Sequence, residues 1–306
     1  MPAPEISVII ATRNRVHSLR RVLETLEGAE REVSSTLEMI IADNGSTDAT
    51  PALLAEWCQQ APKHRKMLHV PDAGKARALN AACRIARGSI LAFTDDDVEV
   101  PTNWLRAVAE FANRFPSHAA ATGPVKLPPR QRSSDITAMV EFYRTIPLFD
   151  LGSQPQPSKH LYGCNMAVRK PALEAVSGFD PRLGPGASGL HEDGDLARRL
   201  RAAGFEILYW PAMEMFHIVE PERLTWEYFC RLHRADARSR WIRDGNLGLG
   251  YALRHWLGAA AVLGLWTVVG NRYRRMRARG RLLSHTEYLR LCWAARRSKV
   301  PCGKDV

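Results

Sequence analysis

The sequence predicts an α/β fold whose sheet is built from parallel βαβ units. Across the first 125 residues, short apolar runs alternate with stretches of three-to-four hydrophobic spacing. Each apolar run has the length of a strand buried on both faces, and each is followed by polar residues. Right-handed crossovers then gather those polar ends on one edge, where open α/β sheets bind ligands.

The first strand is Ile6-Ser7-Val8-Ile9-Ile10-Ala11, and the helix after it carries Val16, Leu19, Val22, Leu23 and Leu26 on one face. The second strand, Leu37 to Ala42, runs into the polar turn Asp43-Asn44-Gly45-Ser46-Thr47-Asp48. Ser46, Thr47 and Asp48 are N-cap candidates for a helix carrying Leu53, Leu54 and Trp57. A third strand is expected near Met67-Leu68-His69-Val70, before a helix with Ala78, Leu79, Ala82, Ile85 and Ala86 on one side. The fourth strand, Ser89 to Thr94, closes on Asp95, Asp96 and Asp97, and Pro101 stops the extension. Lys126 to His160 is weakly patterned, with one short helix near Ile136–Tyr143, and suits a functional loop or lid. Strand signals return at Met166–Val168, Phe205–Tyr209 and Met213–Phe216. Helices are expected over Leu224–Trp241 and Leu247–Gly270.

A chain of 306 residues accommodates one large α/β domain and an appendage. The net charge of +11 is unevenly spread. Residues 221–306 hold 18 Lys and Arg against 6 Asp and Glu, leaving 25 against 26 for the first 220. A near-neutral body therefore carries a basic tail. The six cysteines form no C-x-x-C pair and read as reduced thiols. Met1 to Glu5 lacks a basic leader, and the apolar run after it is only a strand long, so the body is expected in the cytoplasm.

Three consecutive carboxylates repel one another unless a cation or donor array offsets them. Asp95, Asp96 and Asp97 at a strand end therefore suggest a divalent metal bridging the edge to a diphosphate, against the alternative of a solvated acidic turn. Asp43 suits either a nucleobase acceptor or an Asx turn with Gly45 at positive φ. Lys75 and Arg77 stand at a helix start, where anions are favoured. Asp193 and Asp195, ahead of Leu196 and Leu200, suit either an N-cap or a general base. His217 ends a strand without zinc-like companions. The chain contains no Walker loop, G-x-G-x-x-G, H-E-x-x-H or G-x-S-x-G.

Taken in order, Ser7-Val8-Ile9-Ile10-Ala11-Thr12-Arg13-Asn14-Arg15, Ile41 to Asp48, Ala78-Leu79-Asn80 and Phe93-Thr94-Asp95-Asp96-Asp97 resemble the motifs of family 2 glycosyltransferases with the GT-A fold. Gly163 to Arg169, Gly178-Phe179-Asp180, Glu192-Asp193, His217 and Pro221 to Thr225 continue the likeness to bacterial, membrane-associated members over about residues 6–230. The resemblance implies transfer of a sugar from a nucleoside-diphosphate sugar, UDP-sugar favoured, to a glycan or lipid-linked acceptor. It also implies Mn²⁺ or Mg²⁺ and inversion at the anomeric carbon.

On that resemblance Thr12, Arg13 and Asp43 hold the nucleoside, assisted by Lys75, while Asp95 takes the ribose and Asp96 stands with it on the nucleotide sugar. Asp97 takes the metal, with His217 as a further metal or phosphate ligand. Asp193 is the base, Glu192 meets the acceptor, and Gly163 and Asn165 line the sugar pocket. Cys164 departs from the small alanine or serine usual there. The expected division is a catalytic domain over 1–220, with a nucleotide-sugar half (1–125) and an acceptor half (126–220), then a helical extension over 221–306.

Trp256 to Gly270 is 15 residues without a charge, short of the ~20 that span a bilayer. With the basic tail, Trp256 and Trp266, it is expected to lie on or dip into an anionic membrane surface at the inner face. A true span and a helical cap on the domain rank behind. Nucleic-acid recognition modules are missing. The rival readings are a nucleotidyltransferase and a non-catalytic nucleotide-sugar-binding protein.

Overall fold

The computed structural model describes residues 5–297. Met1–Pro4 and Cys302 lie outside the described residues. In chain order the elements begin β1 (Ile6–Thr12), α1 (Val16–Arg31), β2 (Leu37–Asp43), α2 (Thr50–Gln60), β3 (Arg65–His69) and α3 (Lys75–Ile85). They continue β4 (Ile90–Thr94), β5 (Val98–Glu99), α4 (Trp104–Arg114), β6 (Ala120–Thr122), β7 (Val125–Lys126) and α5 (Ser134–Tyr143). Next come β8 (Gln156–Pro157), β9 (Met166–Arg169), α6 (Lys170–Ala175), α7 (Glu192–Ala202), β10 (Ile207–Tyr209) and β11 (Met215–His217). Three long helices close the chain: α8 (Trp226–Asp244), α9 (Leu249–Val268) and α10 (Arg272–Arg297).

Two compact units form, and they interleave in sequence. The first runs through Pro129 and adds Pro147–Pro181 and Glu192–Ile218. The second takes Arg130–Ile146, Arg182–His191 and the chain from Val219 onward.

The first unit is built on an eight-stranded sheet of order β3-β2-β1-β4-β9-β6-β10-β8. β1 to β4 are parallel, as the alternation of strands and helices predicts. β9 runs antiparallel between β4 and β6, so the sheet is mixed beyond its nucleotide-side half. Side chains alternate between two cores, as a strand period of two requires. Ile6, Val8 and Ile10 pack with Leu19, Leu23, Leu54, Trp104 and Phe111. Ile9 and Ala11 pack with Leu79, Phe93, Leu196 and Leu200. Each large apolar side chain buried this way contributes roughly 1.5–3 kcal/mol.

Register aligns the carboxyl ends. Thr12 is opposite Asp43, and Asp43 is opposite His69, on neighbouring strands. Ile10 is opposite Thr94, so Asp95 to Asp97 leave β4 at the same edge. A second sheet, β5-β11-β7, joins His217 to Val98, one residue past Asp97.

The second unit is helical. Thr225 caps α8, its hydroxyl accepting the Tyr228 N–H at 3.2 Å. α9 and α10 pack on each other, α8 packs on α10, and Ala237, Ala252, Tyr288 and Cys292 are buried together. Its loop 182–191 is tied to α8, and through Asp236 to α10. Ser188 and Ser239 hydroxyls meet at 2.7 Å, and Asp236 accepts from His191 Nε2 at 2.8 Å and Ser284 Oγ at 2.5 Å. Among the described residues no helix is long and apolar enough to cross a membrane, which overturns the spanning reading of 247–270. Arg254 and His255 stand within α9, the most apolar of the three helices.

Candidate active site

All twelve residues singled out from the sequence belong to the first unit. At the β1 end, Thr12 is buried and its hydroxyl donates to Asp96 Oδ2 at 2.7 Å. Arg13 is exposed on the loop that follows. That loop is locked to the next one: Asn14, at φ +53°, receives the Thr47 N–H at 2.7 Å on Oδ1 and donates its own N–H to Ser46 Oγ at 2.9 Å. Asp48, one of the expected caps, accepts from both the Thr50 and Val16 N–H groups and so holds the starts of two helices.

Asp43 is fully buried, and both its oxygens have partners. Oδ1 accepts the Ser46 N–H at 3.1 Å, the bond of an Asx turn, and Oδ2 faces His69 Nδ1 at 3.1 Å. Gly45 sits at φ +72°, where a Cβ would meet the Pro71 carbonyl at 2.9 Å. Asn44, which the sequence reading left aside, accepts the Gly74 N–H at 2.8 Å and donates to the Val70 and Asp72 carbonyls. It fixes the turn that delivers Lys75.

Lys75 does not reach outward as a free nucleotide contact. Its Nζ lies 2.5 Å from Asp95 Oδ1 and 3.3 Å from Glu192 Oε1. Burial opposes the charge, but those two carboxylates hold the ammonium well above the ordinary lysine value. Glu192 is buried, and burial raises its carboxyl while Lys75 opposes the rise. The lysine thus ties the end of β4 to the start of α7 through one oxygen each of Asp95 and Glu192.

Asp193 differs from its neighbour. Oδ2 accepts the Gly163 N–H at 2.8 Å and Oδ1 accepts the Gly194 N–H at 2.6 Å. The carboxylate is half-buried and fixed by backbone donors, an arrangement that aims it without hiding it. Behind it the Asp195 carboxylate grips Arg199 at 2.6 Å, and Arg199 donates to the Val176 and Gly178 carbonyls. Asn80, from the third quoted motif, pairs both ways with Phe179: Nδ2 donates to its carbonyl at 2.7 Å and Oδ1 accepts its N–H at 2.9 Å. These contacts explain why Gly178-Phe179-Asp180 stands in the pattern.

Asn165 requires a correction. Its side chain is fully buried: Oδ1 accepts Trp104 Nε1–H at 2.9 Å, and Nδ2 donates to the Pro124 and Met213 carbonyls. Both amide hydrogens are committed to backbone carbonyls, and the buried side chain has no exposed face for a sugar hydroxyl. Tyr162, absent from the sequence reading, is stacked on Phe149 with ring centroids 4.5 Å apart. Burial and then the Asp193 charge raise its phenol. Its one sequence signal is its place just ahead of Gly163.

Asp97 and His217 meet in the interior, with Nε2 3.5 Å from Oδ1. His217 Nδ1 lies 3.0 Å from the Ile218 carbonyl, which only accepts, so Nδ1 carries the hydrogen. In the neutral ring Nε2 then presents a lone pair toward a carboxylate oxygen, a pair of donors suited to a cation. Burial and the Asp97 charge push Asp96 up to about 7, a strain that a nearby cation relieves. Among the described residues no three His, Cys, Asp or Glu side chains form a ready metal cage. Burial, followed by the charges of Asp95 and Asp97, with Asp193 also contributing, raises the Cys164 thiol well above its ordinary value.

The model of the family described as glycosyl transferase family 2 matches residues 7–177. This chain belongs to that family. It is a glycosyltransferase with the GT-A fold. The succinoglycan biosynthesis protein ExoM of Rhizobium meliloti (strain 1021) is 28% identical over 81% of this chain and 78% of its own length. Beta-monoglucosyldiacylglycerol synthase of Nostoc sp. is 25% identical over 69% of this chain, which spans only 44% of that relative. Among solved structures, the mannosyltransferase PcManGT from Pyrobaculum calidifontis, in complex with GDP-Man and Mn²⁺, superposes on this glycosyltransferase with a TM-score of 0.55 at 20% identity. That likeness covers 100% of this chain and 77% of the other. S. aureus TarS 1–349 in complex with UDP-GlcNAc gives 0.55 at 15% identity, covering 97% and 93%.

Proposed function

We propose that this glycosyltransferase moves a sugar from a nucleoside-diphosphate sugar, with UDP as the favoured nucleotide, to a cell-envelope glycan or lipid-linked acceptor with inversion. The observation that carries the proposal is the Lys75 bridge, whose Nζ lies 2.5 Å from Asp95 Oδ1 at the end of β4 and 3.3 Å from Glu192 Oε1 at the start of α7. The neighbouring carboxylates, Asp97 suited to a cation and Asp193 suited to a base, are thereby brought to one sheet edge.

Asp97 and His217 would hold Mn²⁺ or Mg²⁺. A divalent cation there supplies Lewis-acid neutralisation of the charge that develops on the leaving diphosphate. Thr12 steadies Asp96 through its hydroxyl, and Asp43 keeps the nucleoside-side turn closed. Exposed Arg13 is free to meet phosphate. Asp193, held by the Gly163 and Gly194 N–H groups, accepts the proton of the attacking acceptor hydroxyl. Lys75 holds Glu192 and Asp95 in place and sets a positive charge among the acids beside the base. Tyr162, backed by Phe149, offers an apolar ring face to an acceptor sugar. The basic second unit suits work at the inner face of the cell membrane, as a peripheral protein.

The test is product analysis with purified full-length protein, Mn²⁺ and a panel of nucleotide sugars. Release of nucleoside diphosphate, abolished by EDTA and restored by Mn²⁺, is the expected result. Release of pyrophosphate would mark a nucleotidyltransferase instead. Donor binding without any release would mark a non-catalytic binding protein.

A further inference from the structure

We propose that the α9–α10 hairpin is an interfacial docking site for anionic phospholipid, its inter-helix groove taking hydrocarbon and its arginines taking headgroup phosphates. This deepens the membrane placement suggested above, and it is independent of which sugar is moved.

Both helices lie in the second unit, and two cavities of about 450 Å³ each open along them. The first is lined by Leu263, Leu282 and Leu283, with Trp226 and Arg279. The second is lined by Leu253, Leu289 and Trp293, with Arg290. Thr286 lines both, so they adjoin along α10, with the Trp256 indole N–H bonded to the Thr286 hydroxyl at 2.9 Å. On α10 the lining positions Leu282, Thr286, Leu289 and Trp293 recur every three or four residues, which places them on one face. At ~1.5 Å per residue that face runs for roughly 16 Å, long enough for much of an acyl chain.

The outer surface of α9 continues the apolar character. Leu253, Leu257 and Leu265 are about half exposed, and Val268 is 88% exposed. A face of this size left in water marks an interaction site. Its surroundings decide the partner. α9 and α10 carry ten arginines against one acidic residue, Glu287. That glutamate is itself engaged by Arg290 at 2.9 Å and Arg238 at 3.6 Å. Two exposed-side tryptophans carry arginines over their rings, Arg274 at 4.4 Å from Trp266 and Arg297 at 5.5 Å from Trp293.

Leucine, tryptophan and arginine side by side, on helices that cannot cross a bilayer, match a helix lying in the headgroup region. An acidic protein would satisfy the arginines but not the uncovered leucine and valine face. An anionic bilayer satisfies both at once.

Flotation of the full-length protein with vesicles tests this. Partition onto phosphatidylglycerol/phosphatidylcholine vesicles is expected to exceed that onto phosphatidylcholine alone by at least tenfold, and to fall with added salt. Leu257→Glu and Arg279→Glu change exposed side chains, so their thermal unfolding is expected to match wild type. Each is expected to lower partition at least fivefold, about the worth of one charge near an anionic surface. Phosphatidylglycerol brominated in its acyl chains is expected to quench tryptophan emission, less so in Trp293→Phe.

Equal partition onto both vesicle types, or unchanged partition in both variants, would overturn the proposal. So would light scattering that finds a dimer dissolved by Leu257→Glu with no vesicle binding. Nucleoside diphosphate release measured without vesicles on the same preparations keeps the two proposals separable: its loss bears only on sugar transfer.

Discussion

At the scale of single residues, the adjacent acids Glu192 and Asp193 have opposite situations. Glu192 is buried against Lys75, and Asp193 is half-buried on two backbone N–H groups. A base has to meet the attacking hydroxyl, so Asp193 is the better candidate of the two. Asp193→Asn keeps the shape and removes the proton acceptor. It is expected to lower kcat at least ~10²-fold while the donor still raises the melting temperature in the presence of Mn²⁺. Asp97→Asn should do the reverse in binding: the Mn²⁺-dependent part of the donor's thermal shift disappears along with turnover. Near-normal kcat in Asp193→Asn would remove that residue from the proton-accepting role.

At the scale of elements, the strand ends were legible and the occupancy of their side chains was not. Apolar runs that close on Thr12, Asp43 and Asp95 locate the sheet edge, because parallel strands bring their carboxyl ends together. Nothing in sequence spacing tells that Lys75 reaches Asp95 and Glu192, residues 20 and 117 positions away, because such contacts depend on the fold that brings β4 and α7 together. The antiparallel insertion of β9 between β4 and β6 is equally silent, since a short apolar run reads the same in either direction. Asn165 illustrates the cost of reading a motif without its packing. It supports the joint of β9, α4 and the Pro124 and Met213 carbonyls. Asn165→Ala orphans the Trp104 indole N–H and the Met213 carbonyl, while the Pro124 carbonyl keeps the Met215 N–H, so it is expected to destabilise the fold by about 2 kcal/mol, read as a lowered melting temperature. The donor KM of the folded fraction should stay within about threefold of wild type. A large KM rise without loss of stability would return Asn165 to the sugar pocket.

At the scale of the whole molecule, each unit holds an acid whose ionised form the fold strongly favours, buried Glu38 in the first and part-buried Asp236 in the second, which gives the two units separate sensitivities to acid. In the first, burial alone would raise Glu38, but Lys66 at 2.7 Å, the Arg87 N–H and the Ser7 hydroxyl hold it down at about 2. In the second, burial is likewise outweighed: His191 and Ser284 hold Asp236 at about 2. Both folded values are below the ordinary carboxylate range, so the unfolded chain binds these protons first as pH drops. The stabilisation is present in full above about pH 4.5 and is lost as pH falls toward 2. From the cited shifts it amounts to roughly 3 kcal/mol for Glu38 and roughly 2 kcal/mol for Asp236. Chemical denaturation followed from pH 7 to pH 3 is expected to show this loss in the wild type. Glu38→Gln should be less stable at pH 7 and flatter with pH in the transition of the sheet, and Asp236→Asn should do the same for the helices. Hydrogen exchange at amides of β2 and of α8 separates the two. An unchanged slope at β2 in Glu38→Gln would mean that the buried glutamate does not govern the acid response of the catalytic unit.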